Sequence, residues 1–522
     1  MNNPIQCKAK GVAEQLLDAV RYQVPVVDKV LQSAGECTVS EYLQQVCQVS
    51  QQSYQPRSDI AEVIYDYVAP LLGEQMAERT AADFLRHPVA LTTNHHGVDF
   101  FAQSVQGSLL FGLAKRQVEG VTTIPVFSCA NIPLNNLTYP RGALVYGVDS
   151  RNGAWPLKLP FFASKLRRQL VARVKGLGVD TLKSVHKRIK GESQINSSLS
   201  AALGLLIDAD YLAEDVQAQQ SYSAQSVILN QRIWSRLFCP FVKMPDLITI
   251  ELETLSEGLL LKDLENSSSL ASLLFNDQMI GRLYRRLDKV SGCWDQTLLE
   301  QRWTNRRDTA LIQASGCGTF CFWGVDHRLC RIPLMLSECE GKMMLCGCDD
   351  TGTEYRYSLE AGALSKAIAE GSLLPSIFSC YLVVALARGV TCLGGYYQAA
   401  YLPEMQAGVS DLLRQEKELQ KASAVMDCIT DGYLSGMQTI MVKQGQTLLP
   451  AGPLEMLASG SVTLAELNCI SEISVFDAHF ASLAETVPDV VPRGQLEDEW
   501  LSSLSLDLRE QLSDKVVVRQ LG

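Results

Sequence analysis

The sequence predicts an α/β protein built on a Rossmann-like parallel sheet, and three observations carry that expectation. Two short apolar runs, Val89 to Leu91 and Ile124 to Cys129, each end in a polar loop, with a mostly apolar helical pattern between them. A third buried run, Val390 to Leu393, closes on Gly394-Gly395 and opens into another helix. Apolar runs too short for helices, each handing over to a turn, fit strands of a sheet covered on both faces.

Composition narrows the class. A chain of 522 residues is too long for one simple core, so about two or three domains are expected. Its 47% hydrophobic and 20% charged residues suit a globular chain. A net charge of −11 argues against a general nucleic-acid binder. No apolar run approaches the roughly 20 residues of a membrane-spanning helix. The start, Met-Asn-Asn-Pro-Ile-Gln-Cys-Lys, lacks the pattern of a signal peptide, so a cytoplasmic location is expected. The 16 cysteines run from Cys7 to Cys469 and read as reduced, mostly buried thiols. The densest group is Cys317, Cys321, Cys330, Cys339, Cys346 and Cys348, but it contains no Cys-x-x-Cys pair, and no metal site is expected.

Taken in order, residues 1–85 form a helical N-terminal segment. Thr38 with Glu41 makes a capping box, and Asp59 with Glu62 suggests a second. Ile60, Val63, Ile64, Tyr67 and Val68 then follow the spacing of one buried helical face, and Pro70 is expected to kink or end that helix. Residues 86–150 form the first half of the Rossmann-like core. Residues 151–310 are expected as a helical insertion. Within it, residues 158–190 hold ten Lys/Arg against one acid, Asp180, which suits the solvated face of two helices (162–174 and 181–190) better than an anion site. Residues 311–402 return to strand patterns and complete the core. Residues 403–435 carry one polar helix, and 436–522 a weakly patterned C-terminal segment with an acidic helix.

The chemistry concentrates in three turns. The first holds Thr92, Thr93, Asn94, His95, His96 and Gly97, and so two of the six histidines of the chain. In open parallel sheets ligands bind beyond the carboxyl ends of strands. A histidine there can bind a phosphate or move a proton near neutral pH. His95 and His96 are therefore the expected catalytic pair, with Asn94 beside them for substrate. The second loop offers Asn131, Asn135, Asn136 and Arg141, neutral hydrogen-bonding groups and one fixed charge suited to holding substrate. The third turn, Gly394 and Gly395 followed by Tyr396 and Gln398, permits close backbone approach to a ligand and would form the opposite wall.

These stretches resemble a family. Cys330-Arg-Ile-Pro-Leu-Met-Leu, Leu374-Pro-Ser-Ile-Phe-Ser and Cys392-Leu-Gly-Gly-Tyr-Tyr-Gln-Ala-Ala-Tyr-Leu look like the corresponding parts of the bacillithiol-synthesis cysteine-adding enzymes. Gly394, Gly395, Ala400 and Tyr401 match that family's glycine turn, with Gln398 where it usually has Glu. Pro88 to Gly97 is similar to its first strand and turn, and Ile124-Pro-Val-Phe to its second strand. The resemblance implies a Rossmann-like core with helical insertions, and a ligase-like reaction joining a carboxylate, for instance that of cysteine, to an amine on a small molecule. The chain departs from the pattern at Asn94-His95-His96, which replaces Gly-Gln-Gln. It also lacks the acidic cluster of the second loop and has too short a helix after residue 403 for the family's coiled coil.

The expected function is thus a divergent ligase-like enzyme with a small-molecule substrate. ATP or ADP is the candidate cofactor, although no P-loop is present, and a homodimer is left open. His-His-Gly also bears a likeness to the His-x-Gly-His signature of nucleotidyltransferases, which gives that activity as the alternative. A non-catalytic ligand-binding relative is the third reading.

Overall fold

The computed structural model describes residues 11–92, 94–147, 156–305, 316–497 and 499–521. Thr93 of the first turn and Cys7 lie outside them.

The strands, in chain order, are β1 (Val89–Leu91), β2 (Thr123–Ser128), β3 (Gly142–Val145), β4 (Leu157–Pro160), β5 (Asp246–Glu251), β6 (Phe322–Val325), β7 (Arg331–Cys339), β8 (Lys342–Cys348), β9 (Glu354–Ser358), β10 (Leu373–Pro375), β11 (Thr391–Leu393), β12 (Ile440–Gln444), β13 (Thr447–Pro450) and β14 (Val517–Gln520). Four of them form an all-parallel sheet in the order β11-β1-β2-β5. Val89 pairs with Thr391 on one side of β1, and Leu91 pairs with Val126 on the other. β2 and β5 pair along their length, from Thr123 with Asp246 to Ser128 with Glu251.

Alternation along these strands divides the core. Val89, Leu91, Ile124 and Val126 join one hydrophobic cluster, which includes residues of the helices Ala102–Arg116 and Tyr222–Arg236. Ala90, Phe127, Ile248, Ile250 and Cys392 join the other, with the helices Ser58–Leu72 and Leu252–Glu265. Successive side chains of a strand point to opposite faces, so a sheet with apolar residues at every position must be covered twice. Buried Asp83 fixes the start of β2 by accepting from the backbone N–H groups of Thr122 and Thr123, at 2.8 and 3.0 Å.

The structure departs from the sequence reading in several places. The 151–310 block is not only helical, because it contributes β5 to the parallel sheet. Asp-Leu-Ile-Thr-Ile-Glu is only six residues between two strong helical patterns, and it becomes a strand because β2 offers it a buried edge. Conversely, only β11 of the 311–402 block enters that sheet. β6 to β10 form a separate antiparallel sheet in the order β10-β6-β7-β8-β9. The basic helix near 181–190 spans Val179–Lys190, whereas 162–174 holds only two 3-10 turns, Ser164–Leu166 and Val171–Arg173. The polar helix after residue 403 is the end of Tyr396–Gln415 followed by Leu419–Met426. The C-terminal segment adds a third sheet, β13-β12-β14, and the helix Trp500–Leu512.

Capping follows the same contrast. The Thr38–Glu41 box is formed in both directions. The Asp59–Glu62 box is not, because the helix already starts at Ser58; Asp59 lies within its first turn and faces Arg388 at 3.0 Å. Arg388 is wholly buried and also pairs with buried Asp263 at 2.7 Å. Pro70 stays inside its helix, which ends two residues later at Leu72, before Gly73 at φ 88°.

Candidate active-site cleft

The strand order turns back between β1 and β11: β2 and β5 follow β1 on one side, and β11 lies on the other. Beyond the carboxyl ends of these two strands lies a cleft of about 320 Å³. Thr92 and His95 enter it from β1, and Gly395, Tyr396, Tyr397 and Gln398 from β11. Phe101, Tyr381 and Tyr401 add aromatic walls, and Glu485 and Asp489 come from the C-terminal segment.

His95 is placed by backbone pairing. It continues β1 by one parallel bridge to Cys129, beyond the end of β2. Its Nδ1 lies 3.1 Å from the Thr138 hydroxyl. Burial pulls its pKa down to about 4, opposed by a hydrogen bond with Asn136 and assisted by the positive charge of Arg331. At neutral pH the ring is therefore uncharged, with one nitrogen engaged by a hydroxyl.

The opposite wall is stiff. Gln398 is buried, and its carbonyl oxygen accepts from the hydroxyls of Thr92 at 2.9 Å and Tyr381 at 2.6 Å. Its amide nitrogen donates to the carbonyl of Cys392 at 3.2 Å. A Cβ on Gly394 would stand 2.4 Å from the Gln398 side chain. This glycine therefore admits a protein side chain, where the sequence suggested a ligand. Gly395 precedes the helix Tyr396–Gln415, and no side chain caps its first turn. The partial positive charge of that helix start is directed at the cleft.

Glu485 is buried at the cleft wall. It accepts from the Tyr146 hydroxyl, and from the Gln438 amide at 2.6 Å. Burial raises its pKa to about 8, against the lowering effect of those hydrogen bonds. Exposed Asp489 accepts from the Tyr396 hydroxyl at the mouth.

His96 does not share the cleft. It has no exposed surface, and its Nδ1 meets the Ser128 hydroxyl at 2.7 Å and its Nε2 the Ser223 hydroxyl at 2.9 Å. Ser223 in turn donates to Glu251 at the end of β5. Asn94 also turns inward, donating to Asp99 at 3.1 Å and Ser108 at 3.2 Å. Consecutive residues in an extended stretch point to opposite sides, so only one of two adjacent histidines can face the opening. Asn94, Asp99, Ser108 and Ser128 line a small void of about 20 Å³, room for roughly one water, which His95 also borders.

The second loop is divided as well. Asn131 donates to the carbonyl of Pro375 at 3.2 Å and lines a second cleft, shared with Arg331. Asn136 supports His95, whereas Asn135 is exposed and outside the cleft lining. Arg141 gives its Nε to the carbonyl of Phe162 at 2.9 Å, so it acts as a loop brace. The sequence reading missed Glu485, Tyr381 and Asp489. A carboxylate inside an apolar stretch, Leu483-Ala-Glu-Thr-Val, was the available signal for Glu485.

The fifteen described cysteines are free thiols. Cys339 and Cys346 approach to 3.8 Å across β7 and β8. Among the described residues no group of three or more His, Cys, Asp or Glu is placed to hold a metal ion. Nor is any helix among them long and apolar enough to cross a membrane. No protein-family model, no curated protein and no solved structure matches the chain.

Proposed function

We propose that this chain is a ligase-like enzyme that joins a carboxyl group to an amine on a small molecule in the β1/β11 cleft. The observation that carries the reading is the position of His95. An uncharged imidazole lines the same cleft as the uncapped start of the helix Tyr396–Gln415, at the point where the strand order turns back. Ligands of doubly wound folds bind at that point, and the order β11-β1-β2-β5 supports a Rossmann-like core.

In this reading the attacking amine loses its proton to His95 as the C–N bond forms, with the Thr138 hydroxyl holding the ring's other nitrogen. Backbone N–H groups at the helix start stabilise the oxyanion on the acyl carbon. Glu485, protonated below its raised pKa, supplies the proton that the departing group takes up. The acyl group arrives activated, and ATP is the candidate activator. The aromatic side chains of Tyr381, Tyr396 and Tyr401 suit a ring-bearing substrate. The likeness to bacillithiol-synthesis cysteine-adding enzymes points to an amino acid such as cysteine as the carboxyl donor. The nucleotidyltransferase alternative calls for two histidines at one site, and only His95 of the pair lines this cleft.

The test is direct. The purified chain is incubated with ATP, single amino acids and amino sugars, and products are sought by mass spectrometry. A condensation product formed by the wild type and reduced about 10²-fold or more in His95→Gln supports the reading. Equal yields from the two proteins would overturn it.

A further inference from the structure

The second cleft, of about 450 Å³, lies between the antiparallel sheet and the turn at Gly292. Its lining includes Asn131, Lys289, Trp323, Arg331 and Ser376. The Arg331 guanidinium stacks on Trp323, 4.4 Å from the ring centroid, and donates to the carbonyl of Asn131 at 3.1 Å. Arg331 lines this cleft and is exposed to solvent there.

Among the described residues Arg331 has no ion pair, and the thiols near it, Cys129 and Cys317, are held protonated by burial. Asp295, the acid in the lining, accepts from the backbone N–H of Leu298 as a helix cap, 2.9 Å away. Lys289 adds a second cation. A guanidinium cannot discharge by losing its proton, so Arg331 is a fixed cation open to an anion in this cleft. With one face on an indole and one N–H on a carbonyl, it still offers donors in the fork geometry that matches a carboxylate or phosphate.

The two clefts adjoin. Ile377 lines both, and the charge of Arg331 reaches His95. We propose that the Arg331 cleft is an oxyanion subsite, taking a carboxylate or phosphate carried on the same small molecule whose reacting end lies against His95. The last clause rests on the function proposed above, whereas anion binding at Arg331 does not.

The full chain is titrated in low-chloride buffer with inorganic phosphate and, separately, malate, following melting temperature and tryptophan fluorescence. The wild type is expected to be stabilised by at least one of them, and the stronger one identifies phosphate or carboxylate chemistry. Arg331→Gln should weaken that binding about tenfold or more. Lys289→Asn, which suits the positive φ of 63° at that position, should weaken it severalfold. His95→Gln should leave it unchanged. The proposal is overturned if neither anion acts on the wild type, or if Arg331→Gln binds as tightly. If Arg331→Gln does not fold, unchanged binding by Lys289→Asn overturns it. Retained anion binding with undiminished turnover in His95→Gln would sink the reading of the first cleft alone.

Discussion

His95 and His96 are adjacent in sequence and have opposite roles in the structure, and substitution should separate them. His95→Gln is expected to cut turnover about 10²-fold or more with little change in melting temperature, because the ring sits at a cleft wall. His96→Ala should act the other way. It removes the ring that buried Ser128 and Ser223 bond, at a cost of about 3 kcal/mol, readable by urea denaturation. The pH profile belongs to the same scale. As a base His95 must be uncharged, so kcat/KM should fall as pH drops through about 4. As an acid Glu485 must be protonated, so kcat/KM should fall as pH rises through about 8. A profile flat across both limits would remove these two residues from proton transfer.

At the scale of elements, the turn from β11 into the helix Tyr396–Gln415 is where packing leaves least freedom. Gly394→Ala would drive a methyl group into Gln398 and should destabilise the fold by about 1–3 kcal/mol, measured by thermal or urea unfolding. Gln398→Glu is a near-isosteric probe of the same joint. It replaces an amide that donates to the Cys392 carbonyl with an oxygen that repels it, in a buried site. Loss of stability is expected, and a neutral effect would show that Gln398 is held less firmly than its three hydrogen bonds suggest. The joint is legible only in part from sequence. Gly-Gly after an apolar run announces the turn, but nothing local says that the space beside Gly394 is filled by Gln398.

Across the whole molecule, buried ionisable groups set how stability depends on pH. Burial raises Asp99, Glu253 and Glu455 to about 7, and Glu257 and Glu485 to about 8. Each holds in the native state a proton that the unfolded chain releases near its ordinary pKa, so each lowers stability as pH rises from about 4.5 to its native value. Burial lowers His87, His95 and His479 to about 4, and their contribution rises with pH but is complete by about 6.5. Lys115, lowered to about 7 by burial beside His87, adds stability above that pH. Five acids outweigh one lysine, so the melting temperature should fall by several degrees between pH 6.5 and pH 8. A rise over that window would mean that these carboxyls are ionised in the fold.

The sequence by itself determined the α/β class, three of the four strands of the parallel sheet, and two turns that meet at one cleft. Those features are local: a short apolar run, a polar turn and a glycine carry their meaning within about ten residues. Tertiary structure alone decided the rest. β5 is a strand because β2 offers a buried edge more than a hundred residues earlier in the chain. Asp59 lies inside the first helical turn and pairs with Arg388, and Glu485 reaches the cleft from the far end of the chain. Of two neighbouring histidines, the alternation of the backbone gives one to the cleft and the other to a buried network with Ser223 and Glu251. In each case the partner lies far away in sequence, and burial makes leaving a polar group unpaired costly enough to fix the choice.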